Sequence, residues 1–217
     1  MLVHSAVGIS REFSAEERAA APAILGIRGT GWFLSPQALV TAAHVADAMR
    51  LSAQEWSTLE VREGASTRTI PARVARVVGE NAEKVAVLEL RTAFPDAVPL
   101  PIRLAPLSPE EPVSSLAYPD NRLRQAKGRF VEYGTEAATA GAALLEMHDG
   151  NDRLVLDHGA SGAPVVDCQG RVVAVVSTLI TQTINLPTGP VRVSTAWQVA
   201  NVVATPAAAL MDFPSPR

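Results

Sequence analysis

Two short blocks of the chain hold the residue types best suited to chemistry. One runs Gly29-Thr30-Gly31-Trp32-Phe33-Leu34-Ser35-Pro36 and then Leu39-Val40-Thr41-Ala42-Ala43-His44-Val45, and the other is Gly159-Ala160-Ser161-Gly162-Ala163-Pro164-Val165. A serine hydroxyl is a poor nucleophile at its ordinary pKa and needs an imidazole within hydrogen-bond reach to take its proton. Negative charge developing on an attacked carbonyl oxygen needs fixed N–H donors, and glycine lets the backbone present an amide in conformations a side chain disfavours. Taken singly, a histidine is more often structural and a Gly-x-Ser-Gly is more often a turn. Metal chemistry has less to stand on. His44, His148 and His158 form no spaced ligand motif, and Cys168, the only cysteine, excludes an internal disulfide and a cysteine cage. No cofactor or metal is expected.

The elements that must position these residues are strands. Apolar runs are short, valine-rich and separated by Gly, Pro, Asn or Asp, the pattern of an all-β chain. Strands are expected near Ala23–Arg28, Gly31–Leu34, Ala38–Thr41, Thr58–Arg62, Thr69–Val78 and Val85–Leu90 in the first half. The second half offers Val113–Ala117, Gly128–Tyr133, Arg153–Leu156, Ala163–Asp167, Arg171–Val176 and Val191–Ser194. Between the sets, Pro95, Pro99, Pro101, Pro106, Pro109 and Pro112 cannot donate to a ladder and mark a connector. These signals predict an appendage over 1–22, a first unit over 23–107, a second over 108–204 and a tail over 205–217. Helix is expected in Arg11–Ala21, and after a Ser194 or Thr195 cap, where Ala196, Val199, Val202 and Val203 recur at helical spacing before Pro206. The alanine-rich stretch Ala137–Ala143 reads as a loop.

Composition narrows the classes of function. Of 217 residues, 47% are apolar and 19% charged, a globular rather than disordered balance. A net charge of −3 without a Lys/Arg cluster removes the usual electrostatic drive toward nucleic acid or an anionic membrane. Met1–Ser10 lacks a basic leader segment, and no run approaches the roughly 20 apolar residues that span a bilayer, so a cytoplasmic location is expected.

Together the histidine and serine blocks, in this order and in strand context, resemble the trypsin/chymotrypsin-like serine peptidases, in particular their disulfide-free bacterial, HtrA-like branch. Leu116-Ala117-Tyr118-Pro119, Val85-Ala86-Val87-Leu88-Glu89-Leu90 and Val193-Ser194-Thr195-Ala196 extend the likeness over roughly residues 24 to 203. The resemblance implies two six-stranded antiparallel β-barrels with the active site in the cleft between them and a short C-terminal helix. It implies Ser161 as nucleophile, His44 as general base, and the N–H groups of Gly159 and Ser161 as the oxyanion hole. The segments Val155 to His158 and Ser177-Thr178-Leu179 would line the primary pocket. Val155 stands where a carboxylate would select Lys or Arg, so a small or medium apolar side chain is expected there, with Leu179 narrowing the pocket. Peptides or proteins are the implied substrates, and the lack of a PDZ-like extension points to a partner that supplies recognition.

One position departs from the family in a way that bears on activity. The family's carboxylate directly precedes the Val-Ala-Val-Leu strand, and here that residue is Lys84. A carboxylate accepts the Nδ1–H of the histidine and stabilises the imidazolium, whereas an ammonium only donates and lowers the imidazole's affinity for a proton. Glu83, Asp47, Asp120 and Asp157 are nearby carboxylates, none in the family's place. Lys84 acting as a base would have to face Ser161, so the simpler expectation turns it to solvent. Two readings follow: a serine endopeptidase working through a Ser161–His44 dyad, or a silenced relative that binds peptides. Ala160 replaces the Asp or Asn that often precedes the serine, so no activating cleavage is implied. Ala163 replaces a second glycine and is tolerated if its φ is negative.

Overall fold

The computed structural model describes residues 5–19, 23–79, 84–137, 139–150, 156, 159–179, 181–186, 189–194 and 200–211, with backbone alone at 120, 178–179, 181–186 and 189–194. In the first half the chain forms β1 (Ala6–Glu12), α1 (Ala15–Ala19), β2 (Gly26–Ser35), β3 (Ala38–Ala42), α2 (Ala43–Ala48), β4 (Ser57–Glu63), β5 (Ser66–Val78) and β6 (Val85–Leu90). After the connector come β7 (Pro112–Ala117), β8 (Arg124–Tyr133), β9 (Ala143–His148), β10 (Pro164–Val166), β11 (Val172–Leu179), β12 (Thr181–Leu186), β13 (Gly189–Ser194) and β14 (Val202–Pro206). Two closed barrels result, β1-β2-β3-β6-β5-β4 and β10-β11-β14-β9-β8-β7, and β12 pairs with β13 in a separate hairpin. Every named strand pair is antiparallel, and the predicted architecture of two six-stranded barrels holds. Among the described residues no helix is long and apolar enough to cross a membrane.

Strand alternation divides each wall between two cores. In β6, Ala86, Leu88 and Leu90 face the first barrel's interior, while Val85 and Val87 point outward. Outward residues of β3 and β6 (Val40, Val85, Val87) meet Val166, Val172 and Val175 of the second barrel around Trp32, forming a third core at the joint. Because both faces of such strands are buried, they appear in the sequence as continuous apolar runs. The connector is fastened to the second barrel. Val172 N–H donates to the Pro101 carbonyl at 2.7 Å, Arg103 N–H to the Val172 carbonyl at 2.9 Å, and Ile102 bridges Val172 in parallel.

Several local expectations are corrected. Residues 1–22 are not simply an appendage: β1 lies between β2 and β4 and closes the first barrel, with Val7 and Ile9 in its core, and Arg11 and Glu12 of the expected helix belong to β1, the described helix being Ala15–Ala19. Its apolar run is short and interrupted by Gly8, where a Cβ would stand 3.2 Å from the Tyr118 ring. The two strands expected at Ala23–Arg28 and Gly31–Leu34 are one strand, β2, whose glycines are packing positions rather than a turn. Ala143 begins β9, where Ala143, Leu145 and Met147 are buried and the intervening residues half-exposed. Of the helix expected after Ser194 or Thr195, Thr195, Ala196 and Val199 lie outside the described residues, Val202 and Val203 belong to strand β14, and a 3₁₀ turn follows at Ala207–Leu210. With β9 on one side and β11 on the other, four consecutive residues of β14 are buried, so their spacing could not report a period. The strand expected at Val191–Ser194 exists as β13 but outside the barrel, and Arg153–Leu156 lies outside the described residues except for buried Leu156.

Candidate active site

The histidine is set by the end of one strand and the entry of one short helix. β3 ends at Ala42, opposite Val85, and Ala43 N–H donates to the Lys84 carbonyl at 2.9 Å, so the pairing continues one step past the strand. His44 follows on α2 and is exposed, while Val45 is buried against β2. Gly29 is what admits Val45, since a Cβ there would lie 2.5 Å from Val45 Cγ1. Seating Val45 on the barrel therefore turns the preceding imidazole outward.

The serine loop is held by backbone that only glycine adopts easily. Gly159 has φ +99° and Gly162 φ +91°, on either side of Ala160-Ser161. Gly162 N–H donates to the Val176 carbonyl at 2.7 Å, and Ala163 N–H to the Ala160 carbonyl at 3.0 Å. A Cβ on Gly162 would stand 2.1 Å from the Thr30 carbonyl oxygen and 2.9 Å from the Ala42 amide nitrogen. The residue after Ser161 thus presses on the backbone two residues before His44, which brings the two blocks to one junction between the barrels. Ala163 keeps a negative φ, as its alanine requires.

Ser161 is half-buried, and its hydroxyl donates to the Ser177 carbonyl at 3.0 Å. A hydroxyl has one hydrogen, so in this rotamer the proton is aimed along β11 rather than at an imidazole. Ser177 is buried, and Thr178 and Leu179 continue β11 opposite Val203 and Val202. Val155 and His158, the other expected pocket residues, lie outside the described residues. A cleft of ≈ 730 Å³ opens beside Gly159 and is lined by Ile24, Leu25, Arg28, Arg62 and Asn121 among others.

Lys84 directly precedes β6, where the sequence puts it, and is exposed. Its carbonyl accepts from the Ala43 N–H of the histidine block. Asp47 is exposed on α2 one turn beyond His44, Asp120 lies in the 3₁₀ turn Pro119–Asn121, and Glu83 and Asp157 lie outside the described residues. Among the described residues no group of three or more His, Cys, Asp or Glu side chains converges as a metal site.

Two residues quoted in the sequence motifs, but given no task there, join the halves of the site. Thr30 is fully buried, and its hydroxyl donates to the Gly159 carbonyl at 2.6 Å. Tyr118 N–H donates to Thr30 Oγ1 at 2.9 Å, and the Tyr118 hydroxyl accepts the Gly64 N–H at 3.0 Å. Their sequence signals are a threonine between two glycines and a Tyr-Pro at a strand end.

Residues 29–175 match the family model of the trypsin-like peptidase domain. Among solved structures, the active form of the Rv3671c protease of M. tuberculosis aligns with a TM-score of 0.65 at 20% identity, covering 96% of this chain and 78% of that one. The inactive form of the same protease aligns with a TM-score of 0.63 at 19% identity, covering 97% and 87%. At such identities the likeness is one of fold. No curated protein matches.

Proposed function

Because this chain belongs to the trypsin-like peptidase domain family, we propose that it is a serine endopeptidase that cleaves peptide bonds through an acyl-enzyme on Ser161, with His44 as general base. The observation that carries this reading is the junction itself, where the Gly159–Gly162 loop is packed on the β3–α2 corner that presents His44. Ser161 Oγ attacks the scissile carbonyl, the imidazole takes its proton and later gives it to the leaving amine, and water then hydrolyses the ester. The N–H groups of Gly159 and Ser161 hold the oxyanion. Before attack the Ser161 side chain must rotate away from the Ser177 carbonyl, since its one hydrogen is engaged there. Substrates are extended peptides with a small or medium apolar side chain in the pocket beside Ser177, Thr178 and Leu179.

A second reading rests on Lys84. With an exposed ammonium at the position of the family's acid, that position offers no carboxylate to accept from the imidazole, and the protein binds peptides without turning them over. Intact-mass measurement after incubation with a fluorophosphonate separates the two. The endopeptidase reading requires covalent labelling of the unmodified protein that disappears in Ser161→Ala. Labelling confined to Lys84→Asp, with a gain that can approach 10⁴-fold, identifies a site silenced at one residue. No labelling of either form overturns the catalytic reading.

A further inference from the structure

We propose that Thr30, a residue of the first barrel, positions the oxyanion hole of the second. This assignment rests on the reading of Gly159 and Ser161 as the oxyanion donors. Those two N–H groups are separated by a single peptide unit, formed by the Gly159 carbonyl and the Ala160 N–H. That unit is planar and turns as one body, so its orientation controls the angle between the donors on either side. Gly159, at φ +99°, supplies little resistance to rotation, because glycine populates both signs of φ at similar cost. Some other group has to hold the plane.

Thr30 does so through a hydroxyl whose polarity is fixed. The Tyr118 N–H can only donate, so Thr30 Oγ1 accepts there at 2.9 Å and keeps its one hydrogen for the Gly159 carbonyl at 2.6 Å. The Thr30 N–H meanwhile donates to the Ser161 carbonyl at 3.0 Å, fixing the plane that follows the nucleophile. Thr30 itself is immobilised, with its carbonyl accepting the Thr41 hydroxyl at 2.8 Å and its side chain fully buried. One residue of β2 thereby clamps the peptide planes before and after Ala160-Ser161, across 129 positions of sequence. A donor set assembled before substrate arrives costs no reorganisation during reaction. Thr30 is accordingly a positioning residue that touches no substrate.

Thr30→Val keeps the shape and removes the hydroxyl, and Thr30→Ser keeps the hydroxyl and removes a methyl. Saturation kinetics of fluorophosphonate labelling are measured on folded protein, in the unmodified chain or, if only that form labels, in Lys84→Asp. Thr30→Val is expected to lower the maximal labelling rate about 100-fold, comparable to losing an oxyanion donor, with half-saturation unchanged. Thr30→Ser restores the rate to within about threefold of the parent. Thr30→Ala carries the same test if the valine is not accommodated. Crystal structures of the valine and serine variants supply a readout that needs no activity: the Gly159–Ala160 peptide is turned in the first and retained in the second. A folded valine variant that labels at the parental rate, or that keeps the peptide orientation, overturns the assignment. If neither background labels, the catalytic reading fails, and the peptide orientation alone decides the role of Thr30.

Discussion

At the scale of single residues, two glycines with the same kind of dihedral make opposite demands. Gly64 has φ +57° with nothing near a hypothetical Cβ, so Gly64→Ala should cost only the left-handed conformation, about 1 kcal/mol. Gly162 combines φ +91° with a Cβ position 2.1 Å from the Thr30 carbonyl, and backbone cannot step aside as a side-chain end can. Gly162→Ala should therefore cost about 3 kcal/mol or more and weaken labelling of Ser161, because the loop relaxes by leaving the His44 corner. Urea unfolding of the two variants measures the contrast. Equal midpoints would mean that Gly162 is not pressed against Thr30. The sequence marked Gly159, Ser161 and His44 as candidates because each sits in a short motif with its own chemistry. Thr30 was not legible in its role, since a buried threonine hydroxyl acquires a task only from the carbonyl placed opposite it.

Among the elements, β1 is the most informative. A chain segment outside the fold tolerates substitution within about 0.5 kcal/mol, whereas a buried isoleucine cut to alanine costs about 2–5 kcal/mol. Ile9 is 1% exposed in the interior of the first barrel, opposite Gly29 and Val61, so Ile9→Ala belongs to the second class. Urea denaturation should show the larger loss, and a silent Ile9→Ala would return β1 to the status of an appendage. The strands legible in the sequence are short valine-rich runs bounded by turn residues, β6 and β10 among them, although both faces of these are largely buried. β14, buried on both sides, and β2, with glycines that mimic a turn while leaving room for Val45 and Leu39, conceal their nature in the sequence.

Taken whole, the molecule is two barrels joined by an apolar seam, the Thr30 clamp and a docked connector. The connector carries an ionic network in which Arg103 pairs with Glu111 and lies 3.5 Å from Asp167, itself bound by Arg171 at 2.7 Å. Burial alone would raise the Asp167 carboxyl, but hydrogen bonds from the Arg171 side chain and from the Arg171 and Gln169 amides outweigh it, and the net shift is downward from 3.8. The Arg103 guanidinium likewise holds Glu111 below 4.5. Carboxyls depressed in the folded state stabilise it fully above their unfolded values and lose that contribution as pH falls through the folded ones. Stability should thus hold near neutrality and decline below about pH 4. Asp167→Asn should cost about 2 kcal/mol at pH 7 and flatten the acid limb, as followed by thermal unfolding across pH. An unchanged acid limb would show that the connector is not held by this carboxyl.

What the sequence determined by itself is local in origin. The strand class, the proline-marked connector and the serine and histidine blocks each follow from residues a few positions apart, where propensity, periodicity and motif chemistry act. Tertiary structure alone decided that β1 closes a barrel, that Val85 and Val87 face a second barrel rather than water, and that Thr30 holds Gly159. Periodicity reports that a face is buried but not what covers it. A hydrogen bond such as that from Thr30 to Gly159 exists only once both barrels have closed and brought those groups together.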